Sequence, residues 1–190
     1  MQAPLNSVDP QYWHTTLQSP VGVLHMLANQ KSLLMIAFEQ NLEPLLARVL
    51  PKGCQATFNR NGILDVTLLQ LGEYFAGERK NFTLPISSHG TEFQTAVWNS
   101  LLQIPYGTTR SYSEQARELK RPNAVRAVGK ANGLNPLCIV VPCHRVVAKS
   151  GELSGYVGGK AAKEWLLTME KSHGFGRIHE SRSHSDGPKS

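Results

Sequence analysis

The run Ile139-Val140-Val141-Pro142-Cys143-His144-Arg145-Val146-Val147 constrains this chain more than any other stretch. Three apolar β-branched residues predict a short buried strand, and Pro142 ends its pairing because it has no N–H for a ladder. Cys143 is therefore expected at a strand end. With histidine and arginine beside it, the thiol is expected to ionise readily, since nearby positive charge lowers a free-cysteine pKa of about 8.5 toward neutrality. A buried structural cysteine is the plainer alternative for a lone thiol. The Pro-Cys-His-Arg context favours a nucleophile.

A nucleophilic thiol needs a core to hold it and a reducing compartment. The 190 residues, 41% of them hydrophobic, can bury one ordinary core or two small ones. Cys54, Cys138 and Cys143 are an odd number without paired spacing, which argues against a disulfide framework or a Cys-x-x-Cys metal site. No apolar run approaches the roughly 20 residues that cross a bilayer, and the first residues lack a signal-peptide pattern. The expected location is the cytoplasm, or the nucleus in a eukaryote, with no membrane partner. The net charge of +6 is unevenly placed: six acidic and six basic residues cancel through Gly90, whereas between Thr91 and Lys171 eleven basic residues face six acidic ones. A polyanion partner follows if that excess is concentrated near the thiol, and a merely solvated basic face is the alternative.

Residues 1–90 predict a scaffold of α+β type. Tyr12 to Leu17, Gly22 to Ala28 and Leu33 to Phe38 read as a small antiparallel sheet, broken at Ser19-Pro20 and Asn29-Gln30. Leu42, Leu45, Leu46, Val49 and Leu50 stripe one helix, and Ile63, Val66, Leu69, Leu71 and Phe75 a second, both expected on one side of the sheet. His14 and His25 sit among apolar neighbours and carry no ligand pattern, so no chemistry is expected here. Gly77 to Gly90 reads as a linker.

The second part, 91–171, reads as mostly helical. Thr91 with Gln94 and Ser111 with Glu114 are capping boxes that start two helices. Phe93, Val97, Leu101 and Ile104 stripe the first. The second, through Leu119, is followed by a turn at Lys120-Arg121 and a helix that Asn132-Gly133 is expected to stop in the left-handed region, forming a helix-turn-helix. That last helix, with Ala124, Val125, Arg126, Ala127 and Gly129, is too smooth for bidentate base reading in a major groove. Small residues suit close approach to a minor groove, or alternatively close packing on the core. Residues 172–190 are rich in Ser, His, Gly and basic residues and are expected to be a disordered tail.

Asn135-Pro136, Pro142-Cys143-His144-Arg145-Val146, Gly155-Tyr156-Val157-Gly158-Gly159 and Lys163-Glu164-Trp165-Leu166-Leu167 together resemble the O6-alkylguanine-DNA alkyltransferases. The resemblance is close from about Thr91 to Glu170 and weaker back to Tyr12. It implies repair of double-stranded DNA carrying O6-alkylguanine by stoichiometric transfer of the alkyl group to Cys143, with O4-methylthymine as a second candidate substrate. It implies that Arg126 enters the base stack while the damaged nucleotide swings out. His144 would take the thiol proton through a water and Glu170 would orient it. Tyr112 would stabilise the leaving guanine, and Asn135 would pin the turn that presents the thiol. The carbonyls of Cys143 and Val146, the N–H of Val157, and Tyr156 and Lys163 would surround the base. No cofactor is implied. Some relatives hold zinc in the amino-terminal half with two cysteines and two histidines; with only Cys54 there, no metal is expected. The protein is expected to act as a monomer, or as monomers binding cooperatively along DNA. A cysteine hydrolase built on the same relay, and a non-catalytic sensor of alkylated DNA, are the rival readings.

Overall fold

The computed structural model describes residues 12–153 and 155–174; the expected amino-terminal arm and the tail from residue 175 onward lie outside the described residues. Strands β1 (Tyr12–Ser19), β2 (Gly22–Asn29) and β3 (Leu33–Phe38) form antiparallel neighbours, each within two residues of the sequence expectation. A fourth strand, β4 (Thr57–Phe58), runs parallel to β1 at the open edge, giving the order β3-β2-β1-β4. Two residues are too few for an alternation to show in sequence.

Helices α1 (Leu42–Val49) and α2 (Gly62–Phe75) lie on opposite faces of this sheet, not on one side as the sequence suggests. Leu45 of α1 packs with Leu27, Leu34, Met35 and Ala37, whereas Leu64, Leu71 and Tyr74 of α2 pack with Leu24, Met26, Ile36 and Phe38. All six residues of β3 are consequently buried. The buried stripe of α2 is Leu64, Thr67, Leu71 and Tyr74, and the expected apolar residues Val66 and Leu69 face solvent. Counting only large aliphatics misplaces this face, because it is completed by polar groups that the fold satisfies. Thr67 Oγ1 donates to the Ile63 carbonyl at 2.7 Å, and the Gln70 amide exchanges two hydrogen bonds with Thr83, both 2.9 Å.

Both capping boxes form, starting α3 (Glu92–Leu101) and α4 (Tyr112–Glu118). Lys120, at φ 56°, reverses the chain after α4, and a 3₁₀ turn at Pro122–Ala124 leads into α5 (Val125–Gly133). The left-handed stop expected at Gly133 is absent; α5 ends at Leu134 with φ −98°. Buried amides lock α3, α4 and α5 together: Asn132 Nδ2 donates to Gln115 Oε1 at 2.8 Å, Gln115 Nε2 to Ser100 Oγ at 2.9 Å, and Trp98 Nε1 to the Ala131 carbonyl at 2.9 Å. Helix α6 (Gly159–Gly174) closes the core with Ala162, Leu166 and Met169, and extends three residues past the end expected for the ordered chain.

Residues Ile139–Val141 form a tight turn, not a strand. The Val141 N–H donates to the Leu137 carbonyl at 2.8 Å, and Ile139 takes φ 72°, a conformation unusual for a β-branched residue. The competing interaction lies 100 residues away in sequence. Edge strand β3 takes up the segment before the turn, with the Ile36 N–H donating to Pro136 at 2.9 Å and the Cys138 N–H to Ile36 at 3.3 Å. The first sheet thus holds the turn that carries Cys143.

Candidate active site

Cys143, His144 and Arg145 form a single 3₁₀ turn, and strand β6 (Val146–Val147) then pairs in parallel with β5 (Arg110–Ser111), which delivers Tyr112 at the start of α4. All three turn residues are buried, Cys143 at 5% exposure and His144 at 0%. A tight turn splays consecutive side chains, and each goes to a different partner. Asn135 Nδ2 reaches Cys143 Sγ at 3.3 Å and also donates to the Val141 carbonyl at 2.8 Å, while its Oδ1 accepts from the Leu137 N–H at 3.0 Å. His144 Nε2 lies 2.9 Å from Glu170 Oε1. Arg145 turns away from the thiol and clamps Glu170 through Nε at 2.9 Å to Oε2 and Nη2 at 2.9 Å to Oε1, with Nη1 on the Ile104 carbonyl at 2.7 Å.

This arrangement corrects the expectation of a ready thiolate. Burial pushes the Cys143 thiol up, only partly offset by the Asn135 hydrogen bond and the Lys163 charge. The positive neighbour Arg145 is neutralised by Glu170 and gives the sulfur nothing. Burial also lowers His144, against the opposing pull of Glu170, so the imidazole rests neutral. Since a carboxylate faces Nε2, the proton sits there and Nδ1 is the basic nitrogen. Nδ1 is itself buried without a hydrogen-bond partner among the described residues.

Glu170 is the most heavily bonded group at the site. Besides His144 and Arg145, it accepts from the Tyr74 hydroxyl at 2.6 Å and from the Gly107 N–H at 3.0 Å. Burial alone would raise its carboxyl, but the hydrogen bonds and charges of His144 and then Arg145 outweigh it and hold the group well below the usual carboxylate range. Gly107 is needed for this contact: it has φ +74°, and a Cβ there would stand 3.1 Å from the Glu170 carbonyl oxygen. Tyr74 comes from α2, in the half of the chain from which no chemistry is expected by sequence. Neither it nor the Arg145 clamp has a local signal, because each contact joins segments far apart in sequence.

Tyr156, Lys163 and Tyr112 pack around the turn that carries the sulfur. Tyr156 packs edge-on against Phe38, with ring centroids 5.6 Å apart, and against His144 at 6.2 Å; its hydroxyl is buried without a hydrogen-bond partner among the described residues. Lys163 Nζ donates to the Val146 carbonyl at 2.6 Å and lies 5.9 Å from the centre of the Tyr112 ring. A carbonyl oxygen has two lone pairs, so Val146 retains one for a ligand. Burial and then the Cys143 charge raise the Tyr112 phenol, keeping it a donor. The Val157 carbonyl accepts from Gln40 Nε2 at 3.1 Å, a further contact from the amino-terminal half. Gly158 lies so close to Phe38 that a Cβ there would overlap the ring. Cys138 Sγ donates to the Ile36 carbonyl at 3.0 Å, and burial followed by the Cys143 charge pushes this thiol well up. It stays a protonated spectator.

On α5, Arg126 and Ala127 are exposed and Val125 and Gly129 half-buried, as is Ala124 in the turn before it, while Val128, Ala131 and Asn132 face the core. Gly129 backs onto the Tyr112 ring, so this helix borders the site. Among the described residues no group of three or more His, Cys, Asp or Glu is placed to hold a metal ion.

Known proteins carry the same pattern. A family model described as the ribonuclease-like domain of 6-O-methylguanine DNA methyltransferase matches residues 12–88, and one for the DNA-binding domain of the same methyltransferase matches residues 92–172. The chain is 45% identical over 161 residues to a methylated-DNA–protein-cysteine methyltransferase of Mycobacterium bovis, covering 84% of this chain and 92% of that one. It is 53% identical over 108 residues to an inducible methylated-DNA–protein-cysteine methyltransferase of Bacillus subtilis, covering 57% of this chain and 60% of the relative. Two solved structures from Mycobacterium tuberculosis are similar in fold. The O6-methylguanine methyltransferase superposes with a TM-score of 0.75 at 41% identity, covering 85% and 94% of the two chains. The protein called OGT in complex with DNA gives 0.71 at 41%, covering 84% and 93%. Likeness of this extent, running through both halves of the chain, places it in the 6-O-methylguanine DNA methyltransferase family.

Proposed function

We propose that this protein repairs DNA by moving the alkyl group of O6-methylguanine onto Cys143, once per molecule. The observation that carries the reading is a buried thiol next to a neutral histidine whose Nε2 is committed to Glu170 and whose Nδ1 is left to accept a proton. The Cys143 proton passes to Nδ1, relayed by one water, and the sulfur attacks the saturated carbon in line with its bond to O6. The carbon–sulfur bond forms as the carbon–oxygen bond breaks, and the electron pair stays on the base. Tyr112 donates to the ring nitrogen that gains charge, while the Val157 N–H approaches O6. The Cys143 and Val146 carbonyls accept from the exocyclic amine, and Lys163 and Tyr156 hold the walls. Water cannot displace a thiolate from a thioether, so the sulfur is not regenerated.

Delivery of the base falls to α5. Its small residues Val125, Ala127 and Gly129 suit close approach to a minor groove, and the exposed Arg126 would fill the stack that the flipped nucleotide leaves. Arg126→Ala is expected to slow transfer from duplex DNA by about one to two orders of magnitude, the equivalent of part of an unstacking cost, while transfer from the free base is little changed. Competition between the two substrates in single-turnover assays checks this.

The division at residue 90, with the amino-terminal part supporting and the carboxy-terminal part reacting, is supported by where the two family models meet. The set Cys143, His144 and Glu170 lies within one chain, which suits a monomer on the duplex. Cytoplasm or nucleus suits a reagent that must stay reduced, and no described helix is long and apolar enough to cross a membrane.

Intact-mass measurement after mixing with a duplex containing O6-methylguanine tests the reading. The expected result is a gain of one methyl located to Cys143 and a burst that ends at one equivalent. Continued turnover, as a cysteine hydrolase would show, or no gain, as a sensor would show, overturns it.

A further inference from the structure

We infer that Tyr74, supplied by the amino-terminal half, is a positioning residue that restrains the basicity of His144 by sharing the Glu170 carboxylate. The inference rests on the proposed transfer to Cys143 and adds a group to its proton relay.

Tyr74 is completely buried, and its ring is held by Phe75, Phe82 and Tyr106 with centroids 5.5, 5.3 and 6.0 Å away. That cage aims the hydroxyl at one atom, Glu170 Oε1, at 2.6 Å. The same oxygen faces His144 Nε2 at 2.9 Å, and the Tyr74 oxygen is 3.5 Å from that nitrogen. The three groups therefore meet at a single point. Burial and then the Glu170 charge push the Tyr74 phenol well up, so it remains a donor throughout the working range.

A histidine paired with a bare buried carboxylate gains a proton easily, because the charged pair is strongly attracted at low dielectric. Once protonated, Nδ1 can no longer accept the thiol proton. A phenol that donates to the same oxygen draws off part of its charge and weakens the attraction. Arg145 acts in the same direction from the other side of the carboxylate. The groups that bear on His144 are Glu170 and Lys163 of α6, Arg145 of its own turn, Tyr74 of α2, the ring of Tyr156 and the adjacent Cys143. Of these, Tyr74 is a neutral donor whose removal leaves every formal charge in place. Its loss therefore acts on His144 through Glu170 without adding or removing a charge.

The test is the single-turnover rate of methyl transfer from an O6-methylguanine duplex to the full chain, measured against pH, for wild type and Tyr74→Phe. The expected result is an acid limb displaced toward higher pH by about half a unit or more, and a rate on that limb lower by about threefold or more, the factor that such a shift carries. Phe82→Leu loosens the same cage without touching Glu170 and is expected to lower stability without moving the limb. Site-specific 3-fluorotyrosine at position 74, a stronger donor of almost the same shape, is expected to move the limb toward acid, and it serves should the phenylalanine variant not fold. An unmoved limb in both Tyr74 variants, a shift toward acid in Tyr74→Phe, or an equal shift in Phe82→Leu overturns the inference. Failure of wild type to methylate Cys143 overturns the transfer reading, and this inference with it.

Discussion

Cys143→Ala is expected to lose methyl transfer to background, a fall of at least about 10⁴-fold, with binding to unmodified duplex DNA kept. The loss is complete because no other sulfur can take over. Cys138 belongs to the same turn, yet its thiol donates to the Ile36 carbonyl and burial holds it protonated. Cys143→Ser is expected to be equally inactive, since a buried hydroxyl is far harder to ionise than a thiol and is a poor nucleophile toward saturated carbon. Binding should survive, because α5 is positioned by the Gln115–Asn132 amide pair and by Trp98, none of which touches the sulfur. The fold should survive as well: Asn135 keeps its bonds to Val141 and Leu137 when the sulfur is gone. Intact-mass analysis and a gel-shift titration on the same preparation separate the two activities. Transfer retained by the alanine variant would refute the assignment of the nucleophile.

The parts of the molecule that were legible in sequence are those set by neighbours along the chain. Runs of β-forming and apolar residues between turn signals locate β1, β2 and β3, and the two capping boxes start α3 and α4 where Thr91 and Ser111 stand. Asn135 lies close enough in sequence to Cys143 for a local turn to bring its amide to the sulfur, while His144, the next residue, is sent to Glu170. What was not legible depends on contacts across the chain. Ile139–Val141 has the composition of a strand, but β3 pairs with the residues just before it and forces a turn. The inward face of α2 is written partly in Thr67, Gln70 and Tyr74, polar residues whose partners lie elsewhere. The charge on Arg145 suggested an activated thiol, and only the turn geometry shows that Glu170 takes it.

Thiol activation is therefore indirect. Burial raises Cys143 and lowers His144, so both partners rest uncharged, and proton transfer between them creates two charges in a site with little water. Lys163 favours the thiolate from one side, while Glu170 favours the imidazolium from the other. Under the proposed transfer, a sulfur that can be used only once is thus held uncharged at rest.

Glu170→Gln is expected to be the most destabilising conservative change in the molecule. In the native chain every donor around the carboxylate points inward: His144 Nε2, the Tyr74 hydroxyl, two Arg145 nitrogens and the Gly107 N–H. An amide keeps one acceptor oxygen and turns two N–H groups toward these donors, and it leaves the Arg145 guanidinium buried without a counter-charge. Removing one partner of such a pair costs about 3–5 kcal/mol, equivalent to a melting temperature lower by roughly 10 °C for a chain of this size. The relay fails too, because His144 loses the carboxylate that fixes its tautomer and stabilises its charged form; transfer should slow by about 10²–10⁴-fold. The pH dependence separates charge from packing. Glu170 is held below its unfolded value of about 4.3, so its contribution is fully present above that pH and is lost as pH falls from there toward the folded value. Urea denaturation should therefore show a wide gap between wild type and Glu170→Gln at neutral pH that narrows in acid. A gap that stays constant as the pH drops would mean that shape, not charge, is what the site requires at this position.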